Sequence, residues 1–447
     1  MTDCSTQLTF DFYSRRALRV NFEGGDLSSD AGLLLVRQAD RRLGLTERLG
    51  GCIGDWRDAA LIRHTVVDQV RQRVFQICAG YEDADDCDDL RKDPVLKIVC
   101  DRLPCGDRDL ASQPTMTRLE NHVSNKDLAA IRRLFLDLFI ASYKRPPKEL
   151  ILDVDGWDDP THGGQQLTFF HGYFEQHMYY PVQISEARSG RPIVVQLRPG
   201  NSHAGKGICG ILMWVVGRLR RAWPGVAITV RGDCGFSLPE IMRVCERLGI
   251  EYALGIASNQ VLQRKGADLL ERARLEWHRT GKKARLFDDV YYAAKTWDAP
   301  RRVIIKAEWL DQGPNRRFVV TNRLDDPQEL YDQVYVQRGE DCENRIKEFK
   351  LGLKADRLSC HAFLANQFRL YLFQAAYWLL LAIREAAAGT AFEHAQIPRL
   401  REQLIKLGAR VRQTARRVWV HIASACPWKN VLTVISSRLL LPQWAAG

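Results

Sequence analysis

The chain has 447 residues, enough for two to four domains and for a sizeable buried core. Apolar residues make up 46% and charged residues 27%, an ordinary globular balance that excludes wholesale disorder. Lys and Arg number 65 against 54 Asp and Glu, and the net charge of +11 favours a polyanionic partner. The 12 cysteines are scattered without a C-x-x-C pair, which argues against both a disulfide framework and a zinc ribbon. The opening Met1-Thr2-Asp3-Cys4 has neither the basic nor the apolar segment of a secretory leader. The longest apolar run, 370–383, contains Gln374 and is too short for a bilayer, so it reads as a buried helix. The expectation is a cytoplasmic protein of a reducing compartment, with no membrane contact.

Residues 1–145 read as mostly helical. An extended piece at 7–22 precedes the turn Gly24-Gly25-Asp26, and helical spacing of apolar residues follows at 31–43 and 59–77. The acid-rich stretch 82–89 lacks the glycine and closing glutamate of a calcium hand and reads as a solvated loop. Lys144-Arg145-Pro146-Pro147-Lys148 cannot continue a helix and marks a boundary. Strands are expected at 150–155, 179–185, 192–197, 226–230 and 251–255, with helices at 210–222 and 239–248. That order predicts an α/β fold, a mixed sheet flanked by helices, with an antiparallel hairpin in its first half. Residues 257–333 read as an inserted β-rich subdomain, residues 334–390 as the closing helices and residues 391–447 as a basic tail. The full phosphate-loop pattern G-x-x-x-x-G-K-[ST] is absent, so ATP-driven action is not indicated.

Three carboxylates stand on differently placed elements. Asp155 ends the first apolar strand, Asp233 follows the fourth, and Glu343 lies early in a predicted helix. In an open α/β sheet, the carboxyl ends of adjacent strands converge on one crevice. Acids gathered there need a cation, and hard oxygen donors select Mg²⁺ or Mn²⁺. A pair of such ions about 3.5–4 Å apart can activate the attacking oxygen and stabilise the leaving oxygen of a phosphodiester. Asp153 shares a strand face with Asp155 and is the alternative first ligand. His162, His171 and His177 match no standard zinc spacing. Trp297 and Trp309 fit a sheet core better than a platform for a base.

These residues carry a resemblance. The stretch Tyr335 to Lys350 is similar to the signature Y-x2-R-x3-E-x6-K that closes the catalytic core of bacterial insertion-sequence DDE transposases. Tyr335 to Arg338 and Glu343 to Lys350 keep its spacing, whereas four residues rather than three separate Arg338 from Glu343, which leaves Glu340 as a rival acid. The strings at 27–30, 39–45, 158–163, 197–203 and 353–359 are similar to one subgroup, so the resemblance runs from about residue 7 to the end. It implies an RNase H-like core (146–256 and 334–390), a helical N-terminal domain for end binding or dimerisation, and a β-rich insertion before the last acid.

The resemblance further implies that Asp155, Asp233 and Glu343 form a triad holding two Mg²⁺ or Mn²⁺ ions. Gly156 favours Asp155 over Asp153 as first acid. Tyr335, Arg338 and Lys350 would hold phosphates of the element's ends, and Arg198, Asn201, Arg416 and Arg417 would add DNA contacts. The partners would be double-stranded DNA, both terminal inverted repeats and target, with a homodimer assembled on it in the bacterial nucleoid. The expected activity is metal-dependent end cleavage and strand transfer. An RNase H-like nuclease without joining activity and an inactive DNA-binding relic are the alternatives.

Overall fold

The computed structural model describes residues 8–10, 12, 15, 16 and 18–440. Part of the extended piece expected at 7–22 thus lies outside the described residues; within it, Leu8–Phe10 pairs antiparallel with Leu18–Val20. The chain folds as two compact units, 123–374 and 1–122 together with 375–447.

The first of these, 123–374, is built on one large sheet. Its large sheet has eight strands: β1 (Glu149–Gly156), β2 (Val182–Glu186), β3 (Pro192–Gln196), β4 (Ala227–Gly232), β5 (Glu251–Gly255), β6 (Ala284–Tyr292), β7 (Arg301–Leu310) and β8 (Gly313–Thr321). The spatial order is β6-β7-β8-β5-β4-β1-β2-β3. Strands β1 to β3 form an antiparallel meander, and β4 pairs parallel with both β1 and β5. This RNase H-like arrangement matches the mixed sheet expected from the strand pattern. Strands buried on both sides by their neighbours are mostly apolar, and Leu152, Val154, Ile228, Val230 and Leu254 are all at most 2% exposed.

Its helices include α1 (Asn125–Ala141), α2 (Ile208–Ala222), α3 (Pro239–Arg247), α4 (Gln260–Lys265), α5 (Ala267–Thr280) and α6 (Gln337–Lys347), and α7 (Phe363–Ala386) begins in it and crosses the boundary at 374. Ser124 starts α1 with a capping box to Asp127. The insertion does not stand apart as its own sheet. Strand β8 pairs antiparallel with β5, so β6 to β8 extend the core sheet. Apolar residues of these strands, Ile304 and Val319, pack with Ala253, Leu330 and Tyr331, which anchors the segment that carries Tyr335.

The second unit joins the two ends of the chain. Helix Val66–Ala79 is capped by Thr65 and Asp68 and buried on almost every side. Its Arg73, fully buried, bonds Glu120 and the carbonyls of Glu82 and Asp83, so the acid-rich stretch folds around a cation. From the other end of the chain, Ala409–Gln413 pairs with Leu27–Ser28 and with Val418–Ile422. Gly32 lies so close to this segment that a Cβ would stand 1.8 Å from the Leu404 carbonyl oxygen. Residues 391–440 are therefore built into this unit. Among the described residues, no helix is long and apolar enough to cross a membrane.

Candidate active site

The site grows from two strand ends. Gly232 of β4 lies opposite Val154 of β1, so Asp155 and Asp233, each one residue further on, emerge at the same level of the sheet. Asp233 caps the short turn Cys234–Phe236, with Oδ1 accepting from the Gly235 amide at 2.9 Å. Asp155 Oδ1 accepts from Gly156 at 2.9 Å, and Oδ2 accepts from Arg338 Nη2 of α6 at 2.7 Å. Burial raises the Asp155 carboxyl, Arg338 lowers it and the nearby charge of Asp233 raises it, and together they place it at about 6.

Asp153 has a different fate. It is 1% exposed and is gripped in bidentate fashion by Arg231, at 2.6 and 2.8 Å, from the neighbouring strand. Arg231 also donates to the Val334 carbonyl at 2.8 Å, tying the sheet to the segment before α6. Both oxygens of Asp153 are thereby committed to an internal cation.

Helix α6 presents Arg338, Cys342 and Arg345 to the sheet. Cys342 Sγ lies 3.7 Å from Asp155 Oδ2, and Arg345 Nη1 lies 3.8 Å from Asp153 Oδ2. Glu343 is exposed. At about 100° per residue it points roughly 140° away from Arg338 around the helix. The cause is the one extra residue: counted from Arg338 with the signature's spacing, the acid's place falls on Cys342. The side chain of Glu340 lies outside the described residues. Helix α6 is flanked by wide turns, in which the Val336 amide bonds Tyr331 and the Leu353 amide bonds Glu348, each five residues back. Such turns accommodate an extra residue in a helix.

The remaining predicted residues divide clearly. Tyr335 stands by the strand ends, its hydroxyl beside Gly255, where a Cβ would come within 2.5 Å. Burial lifts its phenol above the ordinary value, with Arg338 and Asp233 both close enough to act on it. Lys350 pairs with Asp158 at 2.6 Å. Asp159, next to it, is fully buried without a hydrogen bond, and burial together with Asp356 pushes its carboxyl well above the usual range. Arg198 is only 5% exposed and sits over the Tyr180 ring, whereas Asn201 is exposed. Arg416 and Arg417 are exposed on the turn between Ala409–Gln413 and Val418–Ile422, in the other unit.

Sequence reasoning missed Cys342 and Tyr180. Tyr180 feels both Asp155 and Asp233, and burial holds its phenol at about 12. Counting four residues on from Arg338 would have found Cys342.

The model of the family described as transposase DDE domain group 1 matches residues 10–443. The chain belongs to this family. No curated protein matches it. A solved structure similar to it is the cryo-EM structure of the piggyBac transposase synaptic complex with hairpin DNA. That chain is 10% identical, with 93% of this chain and 83% of the other covered and a TM-score of 0.42.

Whether this DDE transposase holds a divalent cation as it stands can be tested on its own atoms. The aspartates are hard oxygen donors, and the raised carboxyl of Asp155 calls for a positive charge. Arg338 supplies that charge here. Among the described residues, no three His, Cys, Asp or Glu side chains are placed to hold a metal ion. The donor set in this arrangement stops at two.

Proposed function

We propose that this DNA transposase cleaves the ends of its element and joins them to target DNA with Asp155, Asp233 and Glu343 as its catalytic acids. The observation that carries this reading is the meeting of Asp155 and Asp233 at the ends of adjacent parallel strands, close enough for one charge to raise the other. Bound Mg²⁺ or Mn²⁺, ultimately two ions, would polarise the phosphodiester and activate the attacking oxygen. The chain's own part is to prepare that place. Arg338 neutralises Asp155 in the protein without DNA and transfers its guanidinium to a phosphate of the bound strand, a geometry arginine grips well. Tyr335 and Lys350 hold neighbouring phosphates. Glu343 reaches the aspartates when a wide turn shifts from the flank of α6 into the span between Arg338 and Glu343, where it absorbs the extra residue. Because two ends must be joined, two copies assemble on DNA.

The test is cleavage and strand transfer on DNA carrying the element's own ends, with pre-cut ends supplied separately for joining. Asp155→Asn, Asp233→Asn and Glu343→Gln should each lower both steps at least 1,000-fold and leave end binding within about threefold. Deleting Asp341, which restores the signature spacing, should keep activity. Full strand transfer by the Glu343→Gln protein would remove Glu343 from the site. Hydrolysis with no joined product from pre-cut ends would identify a nuclease instead.

A further inference from the structure

Beside the strand ends, the loop from β3 to α2 closes over a cavity of about 470 Å³, within the span of small-ligand sites. Arg132, Arg198 and Lys206 line it together with Ser202, Gly210 and Trp214, and no carboxylate does. Three cations around one hollow without an acid repel one another unless an anion joins them.

The backbone adds to that field. Helix α2, 15 residues long, begins at this cavity with Gly207 as its N-cap, and no side chain caps its first turn. A helix N-terminus carries positive potential and amides ready for an anion. A Cβ on Gly207 or Gly210 would meet nothing within 4 Å, so the approach to these amides is open. Gly200 to Lys206 also has the glycine and lysine spacing of a phosphate loop, with Gly207 where the metal-binding Ser or Thr would stand. Phosphate recognition without a bound metal is the chemistry this leaves.

Two buried groups give independent support. Arg198, 5% exposed, has no carboxylate partner. Its Nε donates to the Tyr180 carbonyl at 2.8 Å and its Nη1 to Ala204 at 2.6 Å, while Nη2 makes no hydrogen bond. Ser202 is 1% exposed and its hydroxyl is likewise without a partner. A buried donor left unmade is unfavourable, and such a group in a native fold calls for a partner, which a bound water, ion or ligand can supply. Trp214 supplies a planar face, with the Arg132 guanidinium 5.1 Å from its ring centroid. Aromatic and guanidinium planes are the surfaces on which bases stack.

We propose that this cavity is a nucleotide subsite, holding the phosphate of one nucleoside monophosphate unit at the α2 N-terminus and its base against Trp214. The unit is either a free nucleotide or one residue of a DNA strand. The site needs no metal and none of the catalytic acids, so it stands or falls separately from the assignment of the triad.

Calorimetric titration of the full chain in EDTA, with dAMP, deoxyadenosine and inorganic phosphate, tests it. The expected order is dAMP at least tenfold tighter than either fragment. Lys206→Glu and Arg132→Glu, at positions that are not fully buried, should each weaken dAMP at least tenfold with an unchanged melting temperature. Trp214→Ala should reduce dAMP binding to the level of phosphate. A short single-stranded oligonucleotide that displaces dAMP identifies a DNA strand as the source, and dAMP binding undisturbed by it identifies a free nucleotide. Equal affinity for dAMP and phosphate, or charge reversals without effect, would overturn the proposal.

Discussion

Asp153 and Asp155 sit two residues apart on one strand face, and their arginines separate their chemistry. Asp153 is held on both oxygens by Arg231 across the β1–β4 pair, in a place with almost no solvent. Removing one member of such a pair strands a buried charge, a loss of about 3–5 kcal/mol, whereas replacing both with apolar groups is often neutral. Asp153→Asn and Arg231→Met should each lower unfolding stability by about that amount, and the double variant Asp153→Leu with Arg231→Met should lose far less. Urea denaturation of the three proteins measures this. An Asp153→Asn protein of full stability that has lost cleavage would instead make Asp153 a ligand. The D-x-D string was legible in the sequence. Which aspartate is locked away was not, because the deciding arginine lies 78 residues further along the chain.

At the scale of elements, most strands and helices follow from periodicity alone. Strand β5 begins and ends where the pattern of apolar residues puts it, and the apolar run 370–383 lies within helix α7. The insertion illustrates what periodicity leaves open: its alternation shows strands but not which edge they join. Pairing of β8 with β5 made it an extension of the core sheet. On β7, Glu308 is 2% exposed between Lys283 and Lys306. Burial pushes its carboxyl up, but the two lysines outweigh this and hold it at about 2. Its folded value is thus below its unfolded one. The stabilisation is therefore complete above the ordinary carboxylate range and is lost as pH falls towards 2. Glu308→Gln should remove part of the stability at pH 7 and flatten the dependence between about pH 5 and 2, read from melting temperatures across that range. Helix α6 shows the same limit. Its signature residues were recognisable, yet the extra residue before Glu343 turned that side chain to solvent while Arg338 kept its place on the sheet.

For the whole molecule, the excess of positive charge predicts binding to DNA that weakens steeply with salt. Arg416 and Arg417 are exposed on a turn, and no ion pair among the described residues commits them to a carboxylate. Reversing both to Glu should weaken end binding and reduce the slope of log affinity against log salt by about 2 or more. Affinity measured by fluorescence anisotropy between 50 and 200 mM salt, roughly the range over which such contacts are lost, checks this. An unchanged slope would place the DNA elsewhere.

Composition, charge and apolar periodicity determined by themselves a basic α/β protein with a mixed sheet, and the resemblance carried by the spaced signature pointed to a DDE transposase. Those properties are local or summed, so they survive in a linear string. Tertiary structure alone decided that Asp155 and Asp233 share one level of the sheet, that Arg231 removes Asp153 from solvent, and that both chain ends build one unit. It also decided that three cations and a helix N-terminus surround one hollow. Each of these depends on residues distant in sequence meeting at contact range, where burial and Coulomb energy act, and no window along the chain contains both partners.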